Sequence, residues 1–176
     1  MEEPPEGVLF LLTADSLAGV LPTIRSRCIS FAVAPVSPED CARYCTAQGV
    51  GAKDAALYSA LFDGHIGTVL AAARDEARRE QVDRALALAK AAAARDSYAA
   101  AVLLAAYEKD KAGASALLAD FRAVAAAGLR DSLHSPVEGE TARKALGAAD
   151  AAMQQIGAQV NPKIVLSVLA AEFRTF

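Results

Sequence analysis

The segment Glu2-Glu3-Pro4-Pro5-Glu6-Gly7-Val8-Leu9-Phe10-Leu11-Leu12-Thr13-Ala14-Asp15, followed by Leu21-Pro22-Thr23-Ile24-Arg25-Ser26-Arg27-Cys28, decides how the chain is read. Two adjacent prolines fit neither a strand nor a helix interior, so Pro4 and Pro5 place a turn ahead of the apolar run. Val8 to Leu12 is continuously apolar, the pattern of a strand buried on both faces of a parallel sheet, and it predicts β-structure over Val8–Thr13. Such strands carry their chemistry at the carboxyl end, which is where Thr13 lies. Asp15 or Ser16 is placed to cap a short helical turn reaching Val20, and Pro22 stops it. Ile29-Ser30-Phe31-Ala32-Val33 predicts a second strand by its β-branched and aromatic content. Pro35 and Pro38, with Ser37 between, close this first region.

Beyond Ser37 the pattern turns helical. Ser37-Pro38-Glu39-Asp40 supplies an N-cap, a proline at the first helical position and acids in the first turn, for a helix to about Gln48 ended by Gly49. A second helix is expected over Ala52 to Phe62, stopped at Asp63-Gly64. A third starts near Ile66 with Val69 and Leu70 inward. A long alanine-rich helix follows over about Glu76 to Ala94, with Val82, Leu86 and Leu88 as its apolar stripe. Asp96-Ser97 caps the next, with Val102, Leu103, Leu104 and Tyr107 inward. Another spans about Ala112 to Leu133, burying Leu117, Leu118, Phe121, Val124 and Leu129. Ser135 to Gly139 is a loop before a helix over Glu140 to about Ala158, with Leu146, Met153 and Ile156 inward. Asn161-Pro162 starts the last helix, in which Ile164, Val165, Val168, Leu169 and Phe173 form one broad apolar face. The fold expected is mainly α, with two strands at its start.

Composition narrows the function. The 176 residues leave room for one or two domains and a real core. Hydrophobic residues make up 54% of the chain, and the alanine share points to closely packed helices. No apolar run approaches the roughly 18 to 20 residues of a membrane span, and no basic stretch precedes an apolar core as in a signal peptide. A net charge of −3 argues against strong autonomous DNA binding. No G-x-x-x-x-G-K-[ST] phosphate loop occurs, and no nucleophile–base arrangement emerges. An independent enzyme is disfavoured, and nucleotide binding by this chain alone is expected to be undetectable. Cys41 and Cys45 share a helix face; with Cys28 they could suggest a metal site, but the spacing favours small core residues and no metal. His65 reads as a surface or capping residue, since nothing is spaced to orient it as a base.

Glu-Glu-Pro-Pro, an apolar strand ending at Thr13, and Leu21-Pro22-Thr23-Ile24-x-Ser26-Arg27-Cys28 together resemble the clamp-loader branch of the AAA+ ATPases. The resemblance implies that Thr13 is a sensor 1 residue and that Arg27 projects into the ATP site of a neighbouring subunit, so that Arg27, Thr13 and Ser26 are the expected site residues; Ser26 and Cys28 themselves read as helpers of turn geometry and packing. It implies three regions: residues 1–35 as the end of the ATPase module, 36–75 as a helical lid, and 76–176 as an all-α collar and main assembly surface. Leu129-Arg130-Asp131-Ser132-Leu133 and Asn161-Pro162-x-Ile164-Val165-Leu166-x-x-Leu169 resemble collar segments of the family. In nucleotide-hydrolysing relatives the third lid helix begins Gly-x-x-Arg. Here Gly64-His65-Ile66-Gly67 departs from that pattern, as delta-prime-type subunits do, and a glycine supplies no charge to a phosphate.

Met1 stands where relatives carry Leu before Glu-Glu-Pro-Pro, so the chain is expected to be the last part of a longer subunit. In the family both predicted strands belong to a five-stranded sheet. Their apolar edges are therefore expected to be covered, by another copy or by the chain's own helices. The function implied is that of a non-hydrolysing subunit of the DNA polymerase III clamp loader, in the cytoplasm. Its partners would be gamma/tau and delta subunits through the collar, with the sliding clamp and primer–template DNA reached indirectly. No cofactor is expected on this chain, and ATP with Mg would lie at the neighbour's site. The alternatives are a fragment of an ATP-hydrolysing gamma/tau-type subunit, a generic helical interaction module, or another AAA+ subfamily.

Overall fold

Helix-start signals in the sequence account for most of the structure, a computed structural model that describes residues 6–14, 16–34, 36–130 and 134–176. Pro4, Pro5, Asp15, Pro35 and the 131–133 part of the Arg-Asp-x-Leu segment lie outside the described residues. Among those described, the chain is 69% helix, with nine α-helices and no strand. It divides into two units, Met1–Ala34 and Pro35–Phe176.

In the first unit, Ser16 caps a 3-10 turn over Leu17–Gly19, its hydroxyl accepting the Ala18 N–H at 3.2 Å. Pro22 does not merely stop that turn; it opens a short helix, α1, over Pro22–Arg25. The two predicted strands do not form. Residues 8–14 and 29–34 carry no ladder, and Leu9, Leu11, Ile29, Phe31 and Val33 are exposed. The reason is that a strand is defined by its neighbour: apolar β-pattern without a hydrogen-bonded partner leaves an extended segment, however strong its propensity.

The second unit is all helix and turn. α2 spans Pro38–Ala47, with the Ser37 hydroxyl accepting the Asp40 N–H at 3.1 Å, and the chain leaves it through Gly49 at φ +89. α3 spans Ala52–Leu61 and α4 spans Ile66–Arg74. The corner between them needs two left-handed residues, Asp63 and Gly64, and at Gly64 a Cβ would collide with the Val36 carbonyl. α5 spans Glu76–Ala93, α6 Ser97–Ala105, α7 Lys111–Leu129, α8 Gly139–Gly157 and α9 Pro162–Glu172, before a 3-10 turn over Phe173–Thr175. Asp75, Asp96, Asp110 and Asn161 each cap the helix that follows with a side-chain oxygen.

α7 runs through the middle of this unit, packed against α5 and α8, while α9 packs between α6 and α8. Leu117, Leu118, Phe121 and Val124 of α7 are buried as their spacing predicts. By length and composition alone α7 could cross a membrane, but Asp120 and Arg122 interrupt its apolar run, as the sequence indicates, and its apolar face is the core. The rotations of α6 and α9 need correction. Val102, Ile164 and Val168 face outward, as does Leu129 at the end of α7, while Leu104, Val165, Leu166, Leu169 and Phe173 are buried. The loop before α8 is pinned rather than loose: Ser135 and Val137 are buried, and the Ser135 hydroxyl lies 2.9 Å from the Val124 carbonyl.

Candidate functional site

The Ser26-Arg27-Cys28 turn is built by α1. Proline fixes φ at the first helical position without sacrificing a needed N–H, so Pro22 starts a helix that is only four residues long. The exit is held by three backbone bonds, Ser26 N–H to Pro22 O at 3.0 Å, Arg27 N–H to Ile24 O at 3.1 Å and Cys28 N–H to Arg25 O at 3.4 Å. The Ser26 hydroxyl donates to the Thr23 carbonyl at 3.1 Å, which locks the turn from the side. Arg25, Ser26, Arg27 and Cys28 are all exposed. The arrangement offers a guanidinium on a braced turn rather than on a loose coil. Thr13 is exposed too, at the end of the extended segment 8–14. Ser26 and Arg27 thus share one turn, while Thr13 sits on a separate stretch of the same unit.

In the second unit, Gly67 lies in the first turn of α4, exposed, with open space where a Cβ would be. The missing basic group there is a matter of residue identity, not of crowding. His65 precedes α4 as its N-cap residue, exposed, with Nδ1 at 2.7 Å from the Phe62 carbonyl, as suits a surface residue at a corner. Cys41 and Cys45 are fully buried on one face of α2. Burial pushes the Cys45 thiol above its usual range, and Cys41 beside it adds to the shift. These are core residues. Cys28 is exposed, and among the described residues no group of three metal-ligating side chains occurs.

One cluster escaped the sequence reading. Arg78 of α5 grips the Asp120 carboxylate of α7 with both terminal nitrogens, Nη2 to Oδ1 at 2.7 Å and Nη1 to Oδ2, and lies 5.4 Å from the centre of the Phe62 ring. The hydrogen bonds to Asp120 raise the Arg78 pKa further, outweighing the effect of burial. A signal existed: Asp120 falls in the stripe of Leu117, Phe121 and Val124, and a carboxylate among core positions requires a cation. Arg130, just past the end of α7, reaches the α3–α4 corner, donating to the Ala60 carbonyl at 3.2 Å and lying 3.6 Å from Asp63.

Residues 1–37 match a protein family described as DNA polymerase III, delta subunit. The match takes in the extended apolar segment, α1 and the Ser26-Arg27-Cys28 turn, and stops before α2. Comparison with curated proteins and with solved structures found no match. The matched segment points to a family related to the clamp loader of DNA polymerase III.

Proposed function

We propose that the chain works as a delta-prime-type, non-hydrolysing subunit of a bacterial DNA polymerase III clamp loader, lending Arg27 to the ATP site of a neighbouring subunit. The observation that carries this reading is the braced, exposed Ser26-Arg27-Cys28 turn inside the one segment with a family match. Arginine holds a fixed positive charge and a planar set of donors suited to phosphate oxygens. Placed at a γ-phosphate, it acts on charge that develops as the phosphoryl group transfers. Ser26 sets the turn and Thr13 occupies the sensor 1 position. Gly67, where hydrolysing relatives carry arginine, fits a subunit that does not turn over its own nucleotide. ATP and Mg would belong to the neighbour, and the working place would be the cytoplasm.

Partner subunits would dock on residues 76–176, the collar, with 36–75 as the lid. The face best suited to this is made by Tyr98 and Val102 of α6 with Ile164 and Val168 of α9, apolar side chains exposed at helical spacing on two helices that pack together. The sliding clamp and primed DNA would be reached through the assembled complex.

The test is Arg27→Ala in the subunit assembled with its partners, reading DNA-stimulated ATP hydrolysis. Arginines acting in trans at such sites are worth about 10³–10⁵ in rate, and a loss on that scale is expected with assembly intact. Arg25→Ala is the matched control and should change little. Normal turnover in the Arg27→Ala complex removes the assignment.

A further inference from the structure

α4 and α5 are joined by a single residue outside both helices, Asp75, extended at φ −100 and ψ 117. Its carboxylate accepts the N–H groups of Ala77 at 3.0 Å and Arg78 at 3.4 Å, so it caps α5 while leaving α4 behind it. Across this joint, three arginines of the later helices reach back to the earlier ones. Arg79 donates to the Ala73 carbonyl at 2.9 Å and lies 3.4 Å from Asp54. Arg130 donates to the Ala60 carbonyl. Ala60 and Ala73 sit in the last turns of α3 and α4, where carbonyls lack helical partners, so both arginines answer a need at a helix end. Arg78 is the third, held between Asp120 and the Phe62 ring.

The three differ in how far water reaches them. The side chains of Arg79 and Arg130 are 45% and 41% exposed, which leaves their ion pairs screened and weak. Arg78 and Asp120 are 22% and 7% exposed. A shielded, bidentate arginine–carboxylate pair gains little net stability over an apolar pair of the same volume, because both charges lose their hydration. It does impose geometry: the planar fork fits a carboxylate in one orientation, and here the far face of the same guanidinium meets an aromatic ring. Phe62 closes α3, Arg78 opens α5 and Asp120 lies mid-way along α7, so this one group fixes three helices relative to one another.

We propose that Arg78, Asp120 and Phe62 form a latch that sets the angle at which α2–α4 docks on α5–α9, with Asp75 as the hinge it holds shut. The inference is independent of Arg27 and of the clamp-loader reading. Its test uses the full chain with Cys28→Ser and spin labels at Ala47→Cys on the α2 end and Gln154→Cys on α8; both positions are exposed, and Cys41 and Cys45 are buried away from the label. Pulsed electron resonance then reads the distance distribution between the labels. With the latch intact, one narrow distribution is expected. The paired replacement Arg78→Met with Asp120→Leu should retain the melting temperature yet broaden the distribution about twofold, as a hinge released from one state samples several. Arg79→Ala and Arg130→Ala should leave it narrow. Arg78→Lys keeps the charge, loses the fork and should broaden it to a lesser degree. An unchanged width in either Arg78 variant overturns the latch, as does equal broadening by Arg79→Ala or Arg130→Ala.

Discussion

At Gly128 a Cβ would collide with the carbonyl of Val137 and crowd the Ser135 hydroxyl, because the loop before α8 lies directly on α7 there. Its backbone is ordinary helix, so the demand is for closeness and not for an unusual φ. Gly147 sits in the middle of α8, exposed, with nothing near the place its Cβ would occupy. Gly128→Ala should therefore cost about 1–3 kcal/mol by forcing the loop off the helix. Gly147→Ala should stabilise by about 0.5–1 kcal/mol by narrowing the unfolded ensemble. Denaturant unfolding of the two variants checks both signs, and equal effects would mean the loop is not seated on α7. In the sequence both are single glycines within alanine-rich helical runs, and nothing local separates them. The same limit explains the cysteines and Arg78 differently: Cys41 and Cys45 at i and i+4 were readable as one buried face, whereas the partner of Arg78 lies far along the chain.

Helix boundaries were legible because their causes are local. Ser37-Pro38, Asp96-Ser97 and Asn161-Pro162 act within a turn of themselves, and each cap bond is in place. Helix rotation was less legible. α6 has only Ser97 as a polar residue in its span Ser97–Ala105, so no polar face marks which side is wet. In α9 the apolar positions cover more than half the circumference, and packing against α6 and α8 decides which of them turn inward. Phe173 is fully buried, its ring centre 5.8 Å from that of Phe121 and 4.8 Å from that of Phe176. Phe173→Ala should cost about 3–5 kcal/mol through lost burial and the cavity left behind. Ile164→Asp and Val168→Asp, on the outer face, should change the stability of the isolated chain by less than about 0.5 kcal/mol. In a complex they should weaken association if this face meets a partner. Chemical unfolding of the chain and gel filtration of the assembly separate the two effects. A large stability loss from Ile164→Asp would place that side chain in the core.

For the whole chain, the division between what is paired locally and what needs a distant partner decides where it is firm. Among the described residues every buried hydrophobic side chain lies between Cys41 and Phe176, so the second unit holds a core of its own. The first unit buries none among its described residues, and its backbone bonds are those of turns between Ser16 and Cys28. Strand pattern in 8–12 and 29–33 was clear in the sequence, but pairing is a property of two segments, and among the described residues neither run forms a ladder. Segments with few buried contacts and few backbone bonds open most readily. Trypsin should therefore cut first after Arg25 and Arg27, both exposed, leaving a fragment through Phe176 whose melting temperature matches that of the intact chain. Simultaneous cutting within α2–α9, or a lowered melting temperature of the fragment, would show that the first unit supports the second. The same digestion then reports on function. Assembly with partner subunits and ATP, if it places Arg27 against a neighbour's phosphates, must shield the Arg27–Cys28 bond, because protease subsites need several residues of extended, accessible backbone on either side. Cleavage after Arg27 should slow sharply in the ATP-bound complex, while cleavage at the exposed Arg43 of α2 should be slowed far less. Equal protection of both sites would mean that assembly hides the chain generally. Undiminished cleavage after Arg27 would leave the turn in solvent, where it could contribute nothing to a neighbour's ATP.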